Sequence, residues 1–253
     1  MPTKIRVLPT LLFKDVGLIK GVRFDSWRRV GSAMQAVKVY NMREVDELVF
    51  LDIAATKEAR SPDYAIVDEL ADECFMPMAV GGGIRNIEDV RHLLQVGADK
   101  VVINTAAVEI PELISQISRR FGSQCVVVSI DAKKMISGGY GVYTHAGTIS
   151  TGIHPVDLAK NAEELGAGEI LITSIDRDGT LSGYDIELTK EVCEAVSIPV
   201  IASGGAGCYE DMAELLRATG ISAVAAASIF HFTQQTPLEA KRYLYERGFR
   251  VRL

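Results

Sequence analysis

The chain contains the run Met76-Pro77-Met78-Ala79-Val80-Gly81-Gly82-Gly83-Ile84-Arg85, with an echo at Ile198-Pro199-Val200-Ile201-Ala202-Ser203-Gly204-Gly205-Ala206. Each reads as a short apolar strand running into glycines, where bare backbone N–H groups approach a phosphate closely. Pro77 and Pro199 lie 122 residues apart, and the same step carries Gly82 onto Gly204 and Gly83 onto Gly205. It also carries Glu47-Leu48-Val49-Phe50-Leu51 onto Glu169-Ile170-Leu171-Ile172-Thr173. After one inserted residue, Asn104-Thr105 falls on Ala227-Ser228. Several segments sharing one shift in the same order indicate an internal duplication.

Outward from these runs, strand and helix signals alternate. Strands are expected at Ile5–Leu12, Glu47–Ile53, Met78–Gly81, Lys100–Ile103, Val126–Asp131, Glu169–Ser174, Val200–Ser203 and Ala223–Ala227, with amphipathic segments between them. Helices are expected near Ala33–Tyr40, over Tyr64–Cys74 and Ile87–Gln95, and opening with Pro111. The segment holding Gly17 and Gly21 reads as a loop, and Lys134–Thr151 as a small hairpin over the mouth. Strands separated by helices indicate parallel βαβ units. Eight of them in 253 residues predict an α/β fold, a single (β/α)8 TIM barrel spanning 1–253 with half-barrels at about 1–122 and 123–253. An open doubly wound sheet is the competing arrangement, and the four-plus-four duplication favours closure.

Composition restricts the function. A net charge of −6 without basic runs argues against nucleic acid or an anionic membrane as partner. No apolar run reaches the roughly 20 residues of a membrane span, and Met1-Pro2-Thr3-Lys4 has no signal-peptide character. Cys74, Cys125, Cys193 and Cys208 are scattered, as expected of reduced thiols in a cytoplasmic protein. The four histidines form no ligand pattern, so neither a metal nor a cofactor is expected.

Barrel sites lie at the C-terminal ends of the strands. Gly82, Gly83, Asn104 and Thr105 form one candidate phosphate cluster; Gly179, Gly204, Gly205 and Ser228 form its counterpart. A ligand with a phosphate at each end would bridge them, with Asp52, Thr173, Asp178 and Ser203 as further contacts. Asp131 reads either as a catalytic acid or base or as a structural aspartate; its repeat-mate on strand 1 is Leu12, which carries no proton. Lys20 either reaches over the mouth or is a solvated loop lysine. At the other end, counting back in twos brings Arg6, Glu47, Lys100 and Glu169 inward. They form either a mutually paired ring or a hydrophilic gate to an axial passage.

Over nearly its whole length the chain resembles the cyclase-subunit family of imidazole glycerol phosphate synthase. The resemblance is carried by Leu48-Val49-Phe50-Leu51-Asp52-Ile53, Val80-Gly81-Gly82-Gly83-Ile84-Arg85, Asp176-Arg177-Asp178-Gly179-Thr180, Ala202-Ser203-Gly204-Gly205-Ala206-Gly207 and Ser228-Ile229-Phe230-His231-Phe232. It implies a barrel that binds a bis-phosphorylated ribonucleotide and receives ammonia at its floor from a glutaminase partner in a heterodimer. Arg6, Glu47, Lys100 and Glu169 match the family's ammonia gate, and Asp99 a position at the glutaminase interface.

The departure lies in Thr10-Leu11-Leu12-Phe13-Lys14-Asp15-Val16, where Leu12 replaces the family's catalytic aspartate; Asp131 and Lys20 are kept. A paralogous group encoded with surface-polysaccharide genes is more similar, in its Leu-Leu on strand 1 and in Glu73-Cys74-Phe75-Met76-Pro77 and Ser129-Ile130-Asp131. That group implies delivery of ammonia to a sugar amidotransferase making an acetamidino sugar. The other readings are a genuine histidine-pathway cyclase, with Lys14, Asp15 or Lys20 replacing the lost acid, and a non-catalytic scaffold that activates the glutaminase.

Overall fold

The computed structural model describes residues 4–15 and 17–253. The chain enters as β1 (Arg6–Lys14), then leaves the wall as an antiparallel ribbon of β2 (Gly17–Val22) and β3 (Asp25–Gly31). It returns as β4 (Leu48–Asp52), β5 (Met78–Gly81), β6 (Lys100–Ile103) and β7 (Val126–Lys134). The far end of β7 pairs antiparallel with β8 (Tyr140–Thr144), and β8 with β9 (Ile149–Ser150). Next come β10 (Glu169–Ser174), β11 (Val200–Ser203) and β12 (Ala223–Ala226). The parallel order is β10-β11-β12-β1-β4-β5-β6-β7, and β7 pairs with β10 along six residues. The sheet therefore closes, and the doubly wound alternative is excluded.

Helices of eight to ten residues link the strands, and local chemistry sets their starts. Asn86 accepts hydrogen bonds from the N–H groups of Glu88 and Asp89 at 2.9 and 3.0 Å, capping Ile87–Gln95. Thr236 and Glu239 form a reciprocal capping box on Pro237–Glu246. The larger apolar core lies between strands and helices. A smaller one fills the barrel axis, with Leu8, Val49, Ala79, Val102, Val127, Leu171, Ile201, Ala223 and Ala225.

Several sequence expectations change in detail. The helix expected over Tyr64–Cys74 ends at Ala71, and β4 begins after Glu47. The Gly17–Gly21 loop is a β-ribbon: β1 runs two residues past Leu12, so Phe13 and Lys14 pair with Leu18 and Gly17. Its tip residues Arg23 and Phe24 have φ of 53° and 60°; 122 residues on, His145 and Ala146 at the end of β8 have 52° and 53°. The two halves thus carry matching hairpins. The Phe24 ring packs over Gly147, so that the tips meet above the mouth. Two five-residue helices, Thr105–Glu109 and Ser228–Phe232, add to the elements expected from the sequence. They start at equivalent points, after Asn104 and Ala227.

Candidate active site at the barrel mouth

The C-terminal ends of the strands surround a cavity of about 1200 Å³, counted out to its open mouth. Gly82, Gly83, Asn104 and Thr105 line it on one side, and Gly179, Gly204, Gly205 and Ser228 on the other. Asp52, Thr173, Asp178, Ser203, Asp131, Lys20 and Leu12 line it as well. The glycines are required by backbone geometry. Gly82 and its repeat-mate Gly204 have φ of 110° and 90°. A Cβ on Gly82 would lie 2.1 Å from the Asp52 carbonyl oxygen.

Individual roles differ between the halves. Asp52 is fully engaged: Arg60 reaches its two oxygens at 2.6 and 3.0 Å, and the N–H groups of Ala54 and Ala55 donate to one of them. It pins the loop after β4. The Thr105 hydroxyl accepts from the His145 N–H at 3.1 Å, whereas the buried Ser228 hydroxyl has no protein partner. A buried donor left unpaired beside two glycines fits an anionic oxygen at this place.

Leu12 on β1 and Asp131 on β7 face each other, four strands apart in either direction round the barrel. Asp131 accepts from Asn104 Nδ2 at 3.3 Å. Enclosure by the barrel, and secondarily the charge of Asp178, push its carboxyl from an ordinary 3.8 up to about 7. Lys20 is not a solvated loop lysine. It is 2% exposed and its Nζ donates to Asp178 Oδ2 at 2.6 Å. The neighbouring Arg23 N–H donates to the Asp178 carbonyl at 2.8 Å, so the ribbon is latched to the loop after β10.

Lys14 and Asp15, weighed as replacement acids, do not line the cavity. His231 is no proton donor at neutral pH either: burial, with a lesser push from Lys20 and opposition from the Thr10 carbonyl, lowers it to about 4. Phe24 and Trp27 also line the cavity, and no sequence motif marks them. Their only sequence signal is the lone tryptophan of the chain, standing in a polar stretch.

At the floor the four charges form a closed cycle. Arg6 reaches Glu47 and Glu169, both at 2.7 Å, and Lys100 reaches the same two at 2.9 Å. Asp99 is exposed beside Lys100, and its carboxylate accepts from the Met78 N–H at 2.8 Å.

A closed (β/α)8 barrel with a cavity at the strand C-termini, lined by glycines repeated across it, carries its candidate site where barrel enzymes carry theirs. The family model described as histidine biosynthesis protein matches residues 6–236. The chain belongs to that family and is a barrel enzyme of the histidine-biosynthesis type. Among the described residues no helix is long and apolar enough to cross a membrane, and no cluster of three or more metal-ligating side chains occurs.

Proposed function

We propose that this barrel is the ammonia-conducting subunit of a glutamine amidotransferase complex. A glutaminase docks at the floor around Asp99 and releases ammonia against the ring of Arg6, Glu47, Lys100 and Glu169. The ammonia crosses the apolar axial layer as the neutral molecule, since the ammonium ion would lose its solvation there. It emerges beside a ligand held at its two phosphate ends by the glycine clusters. The observation that carries this reading is the pairing of a closed charge ring at the floor with Leu12 opposite Asp131 at the mouth. The inlet is kept while one of two facing proton-transfer groups is gone. Acetamidino-sugar synthesis for surface polysaccharide, with a sugar amidotransferase as third member, is the acceptor chemistry we assign. The free, scattered thiols support a cytoplasmic location for the complex.

A genuine cyclase is the second reading, favoured by one observation. Asp131, held near neutrality, shares its cavity with the buried Lys20–Asp178 pair, a remaining proton-relay set. The two readings separate in one experiment. Purified protein is given the bis-phosphorylated cyclase substrate with ammonium salt in place of a glutaminase. Binding without formation of imidazole glycerol phosphate is the expected outcome; ring closure at a useful rate assigns the chain to the second reading.

A further inference from the structure

Among the described residues, two side-chain oxygens are buried without a hydrogen-bond partner, Thr10 Oγ1 and Ser228 Oγ. Thr10 is 6% exposed and Ser228 is 7% exposed, and both residues line the mouth cavity. They are also neighbours. β1 and β12 run in parallel with Pro9 beside Ala226, so Thr10 follows next to Ala227, and Ser228 comes directly after it. Along β1, Thr10 shares the inward face with Leu8 of the axial core and Leu12 of the cavity wall.

One orphaned hydroxyl is a local cost to the fold. Two at the wall of one cavity, one on β1 and one opening the helix after β12, form a pattern. The fold does not require it, because Thr105, the repeat-mate of Ser228, has its hydroxyl engaged by the His145 N–H. Both oxygens can reach the cavity cheaply. A turn about χ1 exchanges the similar-sized methyl and hydroxyl of threonine, and the serine hydroxyl turns freely.

We propose that Thr10 and Ser228 form a two-hydroxyl clamp across the β12–β1 seam, donating to one phosphate group of the ligand seated at Gly204 and Gly205. Thr10 is then a specificity-determining residue supplied by the opposite half of the barrel. Strand 1 offers an anchoring donor at Thr10 and an apolar wall at Leu12 in place of a proton donor. The inference rests on the two-phosphate reading above and adds a member to one of its ends. Two O–H donors match an acceptor-only group, so the clamp selects phosphate over a neutral sugar end.

The test uses Thr10→Val and Thr10→Ser, titrated calorimetrically with inorganic phosphate and with fructose 1,6-bisphosphate, alongside thermal unfolding of the ligand-free proteins. Thr10→Val should weaken the bis-phosphate roughly tenfold or more while leaving the unfolding midpoint unchanged or higher. Thr10→Ser should restore affinity. Ser228→Ala should weaken binding too, and the double variant should lose less than the product of the two effects. Wild-type affinity in Thr10→Val, or a lowered midpoint with affinity intact, overturns the clamp and assigns the hydroxyl to the fold. If the wild-type protein binds neither probe, the two-phosphate reading itself fails, and the clamp with it.

Discussion

Asp131 and Leu12 occupy opposite walls of one cavity, and the difference between them governs what the site can do. Asp131 holds a proton in the fold that the unfolded chain releases, so its effect on stability follows from linkage. The contribution is full below pH 3.8 and disappears as pH rises through about 7, above which the cavity must hold an unfavourable charge. Asp131→Asn should therefore be more stable than wild type at pH 8, by roughly 1–2 kcal/mol, a figure below full linkage because the cavity admits water. The gap should close toward pH 4 in thermal unfolding; a gap independent of pH would show that the carboxyl titrates normally. Leu12 poses the complementary question. Leu12→Asp restores a second titrating group opposite Asp131, and general acid catalysis supplies roughly 10²–10⁴-fold. Ring closure with ammonium salt should rise by a factor in that range. A folded variant that binds the substrate and shows no gain would place the deficiency elsewhere in the site.

The barrel strands were legible because each is a short, largely apolar run followed by a helical segment, and the 122-residue step tied Gly82 to Gly204 and Glu47 to Glu169. The charge ring was legible for the same reason, since period 2 fixes which residues point inward. The ribbon of β2 and β3 was not. Gly17 and Gly21 read as loop punctuation, yet Gly21 sits within β2 because the chain packs against it: a Cβ there would lie 2.1 Å from the Asp25 carbonyl and 2.7 Å from the Trp27 ring. Burial of Lys20 was equally hidden, since its partner Asp178 is 158 residues away. Close approach of this kind has no local sequence signature. It does give a prediction at the level of the element. Gly21→Ala should splay the ribbon, shift the emission of the single tryptophan, Trp27, to the red, and weaken phosphate-ligand binding. The ribbon is held by the buried Lys20–Asp178 pair and by Leu18 in the core, so the variant should also lose about 1–3 kcal/mol of stability while the barrel stays folded. Unchanged emission with unchanged binding would mean that the ribbon accommodates the methyl without leaving the mouth.

Along the whole molecule, three layers lie in sequence from floor to mouth: a charged ring, an apolar plug of small and branched side chains, and a cavity with Lys20, Asp131 and Asp178 set in a largely apolar wall. Two large apolar side chains are exposed on the segments leading into β4 and β5, Met42 at 78% and Phe75 at 84%, and the Phe75 N–H donates to Asn41 Oδ1, next to Met42. In the proposed complex this is the end that a glutaminase would cover. The ring has net charge zero and four contacts, each cation holding both carboxylates. Lys100→Ala leaves Glu47 and Glu169 bridged by Arg6 alone and opens one side of the cycle. Breaking a fully buried pair costs roughly 3–5 kcal/mol; here Arg6 remains and Lys100 is partly solvated, so a loss of about 1–3 kcal/mol is expected and the barrel should stay folded. In the proposed complex with a glutaminase, the variant assembly should hydrolyse more glutamine than it delivers as ammonia, while delivery from external ammonium salt stays at the wild-type level. A ratio that remains one-to-one in the folded variant would make the ring a structural floor, and the route for ammonia would have to be sought outside the barrel axis.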